Sequence, residues 1–250
     1  MTLFTIQFVR EQNVWLEPLA LNTNVTVTGF SPLFPNAHCT SDYSICQVTT
    51  GEAEINAAST ITALYLSPLF NLTKTYFLIA GIAGVNPYQG TLGTAAFARY
   101  SIQVALQFEI DAREIPSNWT TGYFAQDSLA PLQYPKSIYG TEVFELNVVL
   151  RDKAISLAAN VALNDSDEAI AYRAKYDYAP ANEPPKVIAG DAACSDVFYS
   201  GHLLGEAFGN FTYLITNGSG VYVTTAQVNL YFHLHCLTSE NRKIMQLWKH

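Results

Sequence analysis

Apolar positions along this chain switch repeatedly between a period of two and a period near 3.6, so strands are expected to alternate with helices. Leu3 to Val9 reads as a first strand, apolar with β-branched residues. Val25 to Phe34 is extended and Pro-bounded, and Ile45 to Thr49 is a short strand feeding a turn at Gly51. Ile55 to Leu69 is helical: Ile55, Ala58, Ile61, Ala63, Leu64 and Leu66 repeat at helical spacing, and Ser67-Pro68 ends the run. Thr75 to Ala80 is apolar on both faces, as a central strand of a parallel sheet requires. Ala95 to Phe108 gives one or two long strands, and Asp127 to Pro135 an irregular loop. Phe144 to Val161 has helical periodicity, with Glu145, Arg151 and Asp152 on its polar face, and Ser166 to Tyr176 is a second, shorter helix. After a linker ending in Pro184-Pro185, Lys186 to Gly190 is a strand, Leu203 to Phe208 a helix and Gly220 to Thr225 a strand. This succession predicts an α/β fold with a central mixed sheet flanked by helices, built as one domain.

Composition narrows the classes of function. At 250 residues, 49% apolar and 14% charged, the chain can bury a sizeable core and is not a disordered polymer. A net charge of -8 argues against a nucleic-acid partner, whose surface needs clustered Lys and Arg. The longest apolar runs, such as Tyr76 to Val85, stay well below the roughly 18 residues of a membrane span. No membrane-spanning segment is predicted, and any role in transport must be met without one from this chain.

Two features point to the secretory route. Six sequons stand at Asn24, Asn71, Asn118, Asn164, Asn210 and Asn217, more than chance composition supplies. Cys39 and Cys46 lie close together in a polar loop. They form either a disulfide suited to an oxidising compartment or two unpaired thiols. Cys194 and Cys236 are far apart and give no signal. Met1 to Arg10 has no basic start and runs into Arg10-Glu11, so no signal peptide is read there, and the true start is expected to be missing.

The densest candidate chemistry lies between Thr50 and Gly93. A loop, a helix and a buried strand are followed by the small-residue turn Gly81-Ile82-Ala83-Gly84. Small residues after a strand let backbone approach a ligand closely. In open α/β sheets, ligands sit at the carboxyl ends of strands. The segment therefore reads as half of a small-molecule site. Glu52 and Glu54 flank the Gly51 turn, where Glu54 suits a helix first turn and argues against an anionic ligand there. His38, beside Cys39, reads as a neutral surface histidine. His233 and His235 alternate on a possible strand but have no partner at metal-site spacing, so no metal and no cofactor is assigned.

Several longer pieces carry a resemblance. They are Gly51-Glu52-Ala53-Glu54-Ile55-Asn56-Ala57-Ala58-Ser59-Thr60, Tyr76 through Gly84, Phe108-Glu109-Ile110-Asp111-Ala112-Arg113-Glu114, Gly122-Tyr123-Phe124, Ile138 through Glu145, and Asn217-Gly218-Ser219-Gly220-Val221-Tyr222. From Gly51 to Gln227 the chain resembles the fungal purine nucleoside permease family. That resemblance implies the fold of nucleoside phosphorylases and nucleosidases, purine nucleosides as ligands, a possible homo-oligomer, and a role in nucleoside transport. Full-length relatives are then expected in the secretory pathway, outside the cell or at its surface. The alternatives are a nucleoside N-ribosyl hydrolase or phosphorylase, or an inactive fragment.

The same resemblance nominates residues. Backbone groups of Ile82, Ala83 and Gly84 would read a purine edge or approach the ribose, or else make only a tight turn. Ser195 through Gly201 is similar to the base-recognition segment of uridine phosphorylases. There Ser195 and Asp196 would contact the purine, or Asp196 would cap the helix that follows. Phe198 and Tyr199 would stack on a base or serve as core aromatics. Glu11, past the first strand, would orient an attacking water as a general base, or be a solvated loop charge. In phosphorylases a hydroxyl residue near Ala80 helps hold phosphate, and Ala80 cannot donate a hydrogen bond. Water is therefore the expected nucleophile if chemistry occurs.

The chain departs from the family pattern after Thr224-Thr225-Ala226-Gln227. The expected Glu-Asp-Asn-Ala segment, whose Glu holds the ribose, is replaced by Val228-Asn229-Leu230-Tyr231. Residues 1–227 are expected to be an incomplete phosphorylase-like domain, and 228–250 a divergent tail.

Overall fold

The structure is a computed structural model that describes residues 2–6, 9–81 and 83–226, with side chains from residue 12 onward. The expectations placed on Ile82, His233, His235, Cys236 and the tail 228–250 lie outside the described residues. The chain divides into two compact units, one within Met1–Ile82 and one at Ala83–Ala226.

The first unit contains β1 (Thr2–Ile6), α1 (Val9–Leu16), β2 (Thr23–Thr26), β3 (Asn36–Cys39), β4 (Ile45–Thr49), α2 (Glu54–Leu66) and β5 (Tyr76–Ile79). Its sheet has the order β2-β3-β4-β1-β5. β1 runs parallel to both β4 and β5, whereas β2, β3 and β4 form an antiparallel meander. β4 is deeply buried, with Cys46, Gln47, Val48 and Thr49 all inside. Ala57, Ile61 and Leu64 of α2 join Val27, Phe30, Ala37, Cys39, Cys46 and Val48 in one core. These helix positions are spaced to put one apolar stripe on the sheet. Glu54 stands in the first turn of α2, as expected beside a helix dipole. Cys39 and Cys46 face each other across β3 and β4 and form a disulfide.

Three elements of this unit differ from the sequence expectation. The first strand stops at Ile6, and Val9 already begins α1. Of the extended segment expected at Val25 to Phe34, only Val25 and Thr26 pair into the sheet, as the end of β2, which begins earlier at Thr23. β5 is parallel to β1 but ends the strand order, and Tyr76 at its start is 63% exposed.

The second unit contains β6 (Ala95–Gln103), β7 (Gln107–Glu109), β8 (Tyr123–Ala125), β9 (Val143–Glu145), α3 (Val148–Ala158), α4 (Asp167–Arg173), β10 (Val187–Cys194), α5 (His202–Ile215) and β11 (Tyr222–Ala226). Its main sheet has the order β11-β10-β6-β9, with β10 parallel to both β6 and β11 and β9 antiparallel to β6. β7 and β8 form a separate hairpin. The expected long helix from Phe144 is divided: β9 ends at Glu145, and the Asn147 side chain then accepts from Leu150 N–H to cap α3. Ser166 caps α4 in the same way, accepting from Ala169 N–H. Phe208, Phe211 and Ile215 of α5 pack on Tyr100, Ile102, Ala193 and Tyr222 of the sheet. The α/β class with mixed pairing holds in both units.

β10 is longer than its sequence suggests and carries a bulge. Its register against both β6 and β11 shifts at Gly190–Ala192. The Asp191 carboxylate fills the gap in the ladder. Oδ1 accepts from the N–H groups of Arg99 (3.1 Å) and Tyr100 (2.7 Å), and Oδ2 from Val221 N–H (2.7 Å). Gly190 is needed beside it, since a Cβ there would lie 2.2 Å from Val223 Cγ2.

Candidate functional site

The bulge lets β10 run on to Cys194, so Ser195 and Asp196 leave the sheet directly at a strand end. Ser195 N–H donates to Ala226 O (2.8 Å), the last residue of β11. On the opposite edge of β11, Gly84 N–H donates to Thr225 Oγ1 (2.9 Å), and Thr225 N–H donates to Gly84 O (2.9 Å). Val85 and Thr224 form an antiparallel bridge on the same edge. The carboxyl end of β11 is thus bracketed by two arms, one leaving from Gly84 and one from Ser195.

Gly84 is required by this closeness: a Cβ on it would lie 2.8 Å from Thr225 Oγ1. Its N–H and C=O are both spent on Thr225, so Ala83, an exposed residue, is nearer in character to the ligand-facing turn expected from sequence. Ser195 is buried and its Oγ accepts from Val197 N–H (3.0 Å), which shapes the turn. Asp196 is exposed. It does not cap the following helix, because Gly201 occupies the N-cap of α5 without a side-chain bond.

The two aromatics of this segment part company. Phe198 is 81% exposed. Tyr199 turns inward, edge-on to Phe208 with ring centroids 4.6 Å apart, and its hydroxyl donates to Ala193 O (3.4 Å). Burial pushes the Tyr199 phenol well above its ordinary pKa, and burial raises Tyr222 in the same direction, so both stay neutral across physiological pH. An exposed ring, an exposed carboxylate and exposed backbone suit a flat polar-edged ligand. Neither 83–90 nor 195–202 contains Lys or Arg, so the arms supply no cation for a phosphate.

Glu11 falls in α1 of the other unit, and its side chain lies outside the described residues. Its neighbour Gln12 is buried, and Gln12 Nε2 donates to His38 Nε2 (2.6 Å). His38 Nδ1 in turn donates to Asn24 Oδ1 (2.7 Å). This pattern makes His38 a neutral imidazole, and burial lowers its pKa. Among the described residues no group of three His, Cys, Asp or Glu side chains is gathered as a metal site, and no helix is long and apolar enough to cross a membrane.

Sequence reading missed Thr225 and Ala226, the residues on which the two arms hang. In the sequence Thr225 closes a strand and Thr224-Thr225-Ala226-Gln227 is the last piece that follows the family pattern, but neither marks a contact, and the Gly84–Thr225 pair joins positions 141 apart.

Comparison with known proteins bears on family and fold. A family model described as purine nucleoside permease (NUP) matches residues 2–241. A purine nucleoside permease of Candida albicans is 46% identical over 224 residues, covering 88% of this chain and 55% of that protein. A probable purine nucleoside permease of Schizosaccharomyces pombe is 40% identical over 230 residues, covering 88% of this chain and 66% of that protein. The chain therefore spans about half the length of the Candida relative it matches. Among solved structures, a Helicobacter pylori 5'-methylthioadenosine/S-adenosylhomocysteine nucleosidase aligns over 94% of this chain and 78% of its own, with a TM-score of 0.55 and 14% identity. A futalosine hydrolase of the same organism aligns over 94% and 82%, with a TM-score of 0.52 and 13% identity. The nucleosidase likeness fixes the fold, and the family match goes further: this chain belongs to the purine nucleoside permease family.

Proposed function

We propose that this chain binds purine nucleosides at the end of β11 and that, within the longer proteins of its family, this binding serves nucleoside uptake. The observation that carries the reading is the bracketing of one strand end by the Gly84 and Ser195 arms, through Thr225 and Ala226. Ligands collect at strand carboxyl ends in α/β sheets, and here two of the segments nominated by sequence meet at one. Exposed Phe198 supplies a ring for the base, exposed Asp196 an acceptor for a purine N–H, and the Ala83 backbone further polar contacts. Within uptake, the part assigned to this chain is binding of the nucleoside at that strand end. A secretory or cell-surface setting is supported by the Cys39–Cys46 disulfide and by the exposure of all six sequon asparagines.

A second reading, N-ribosyl hydrolysis, is favoured by the fold likeness to proteins that are themselves named nucleosidase and hydrolase. The two readings separate in one experiment. The 250-residue chain is incubated with inosine or adenosine, with and without phosphate, and products and bound ligand are both measured. Ligand-observed NMR is expected to show nucleoside binding with little turnover. Free base plus ribose would replace binding by hydrolysis as the function, and ribose 1-phosphate would indicate phosphorolysis. No interaction with either nucleoside would remove the proposal.

A further inference from the structure

The two arms that bracket β11 meet a second time, away from the sheet. Asn86 fastens the first arm: its N–H donates to Val223 O (2.8 Å) and its Nδ2 to Tyr222 O (3.0 Å). Asn86 Oδ1 accepts from Tyr88 N–H (3.1 Å), which fixes the backbone of Tyr88 relative to the strand. The second arm ends at Gly201, and His202 opens α5. Tyr88 Oη and His202 Nδ1 lie 3.1 Å apart, with ring centroids 5.6 Å apart.

Both residues are held from further sides. Tyr178 stacks on Tyr88 with centroids 5.2 Å apart and planes at 15°. Glu206 Oε2 lies 3.7 Å from His202 Nε2, one helical turn on. Yet Tyr88 is 52% exposed and the His202 side chain 60% exposed. Tyr178 covers one side of the Tyr88 ring and His202 meets its hydroxyl, which leaves the rest of the ring open. Tyr88 is oriented by three neighbours and still faces solvent. What sets it apart from other exposed, held rings such as Phe108 is its place on the arm that leaves Gly84, where that arm meets the one from Ser195.

We propose that Tyr88 is a base-contacting residue of the strand-end site, on whose ring a purine stacks, and that His202 is the positioning residue that holds this ring. The inference rests on the nucleoside-binding reading and deepens it by naming the surface that takes the base. It predicts selectivity for the purine moiety over the sugar, because stacking tolerates any flat heteroaromatic ring and offers nothing to ribose.

Titrating the 250-residue chain with adenosine, adenine and ribose, followed by ligand-observed NMR, tests it. Tyr88→Ala should weaken adenosine and adenine alike by about tenfold. Tyr88→Leu keeps apolar bulk without the ring; it should lose as much, and it stands in should the alanine variant prove unfolded by circular dichroism. Tyr88→Phe and His202→Ala each remove the hydroxyl–imidazole bond and should weaken binding by about two- to threefold, with no further loss in the double variant. Additive losses in that double variant would remove His202 from the positioning role. If Tyr88→Ala and Tyr88→Leu both bind adenosine as the unaltered chain does, the inference is overturned and the strand-end site survives it. If the unaltered chain binds neither adenosine nor adenine, the site reading and the inference fall together.

Discussion

The two units solve the same packing problem with different polar chemistry. In the first, the chain of polar contacts that runs from the core through Gln47, Thr49, Gln12 and His38 is neutral. Gln47 Nε2 donates to Thr49 Oγ1 (2.8 Å), and Thr49 Oγ1 donates to Gln12 Oε1 (3.2 Å). Gln12 then donates to His38, and His38 to Asn24. These side chains form one directional chain of hydrogen bonds from buried Gln47 out to exposed Asn24, with a disulfide pinning the adjacent hairpin. In the second unit, carboxylates close the backbone. Asp191 takes three N–H groups at the β10 bulge, and buried Glu142 takes those of Tyr139 (2.6 Å), Gly140 (2.8 Å) and Thr141 (2.9 Å). The difference follows from the ladders. Residues 45–49 pair with β1 without interruption, so no backbone N–H is left over, and the buried Gln47 and Thr49 side chains bond to each other and on to Gln12. β10 is broken by a register shift, and the N–H groups left over need a strong acceptor. The broken ladder is also the one that carries β10 on to Ser195.

The largest expected effect breaks the second unit alone. Asp191→Ala leaves three N–H groups in a buried sheet without an acceptor and should cost about 3–5 kcal/mol. Asp191→Asn keeps one acceptor oxygen but sets an amide donor against the N–H of Arg99 and Tyr100 or that of Val221, so it should lose somewhat less. Amide hydrogen exchange reads the result by region: faster exchange confined to 95–103, 187–194 and 221–226 is expected. Equal acceleration in both units would show that the clamp is not local.

Two further changes address the first unit. Ile61, 1% exposed beneath the sheet, has no polar role, so Ile61→Ala tests packing alone and should cost about 3 kcal/mol. Replacing Cys39 and Cys46 together by Ala removes a cross-link closing a short loop and should cost about 2 kcal/mol. A reductant should lower the thermal midpoint of the unaltered protein and leave the double variant unmoved. Should the reductant act equally on both, the pair contributes nothing as a cross-link.

The comparison also marks what the sequence discloses. α2 was legible almost to its ends, because Ile61 and Leu64 repeat at helical spacing and Ser67-Pro68 stops the run. β4 was legible too, being short, apolar and bounded by a glycine turn. β10 was cut short at Gly190, because an aspartate is rare in strand interiors and nothing local reveals the three N–H groups that Asp191 serves. β3 is only four residues long, too short to stand out, so the sequence marks Cys39 and Cys46 as candidates but not their cross-strand register. The nominated arms at Gly84 and Ser195 came from sequence. Their anchors, Thr225 and Ala226, and the Tyr88–His202 contact depend on pairings between distant segments, which only the folded sheet supplies.

The smallest expected effect is a pH dependence, and it separates the neutral network from the charged one. Burial lowers the pKa of His38 from the usual histidine value of 6.5. As pH falls through about 6.5 the unfolded chain takes up a proton before the folded chain does, so folding stability declines on acidification and is flat above that point. The carboxylates with the strongest downward shifts act elsewhere. Hydrogen bonds from Thr40 and Ser44 hold Asp42 down to about 2, and Arg113 holds Asp111 down to about 2. Their contributions are present above the ordinary carboxylate range and fade only as pH falls toward 2, which leaves pH 7.5 to 5 to report on His38. Thermal midpoints measured across that window should fall for the unaltered protein. His38→Gln retains an amide able to meet Asn24 and Gln12 but has no proton to gain, so its midpoints should fall less steeply. Parallel slopes for the two proteins would show that the network from Gln47 to Asn24 tolerates a charge at its exposed end, and that the neutrality distinguishing the first unit is incidental to its stability.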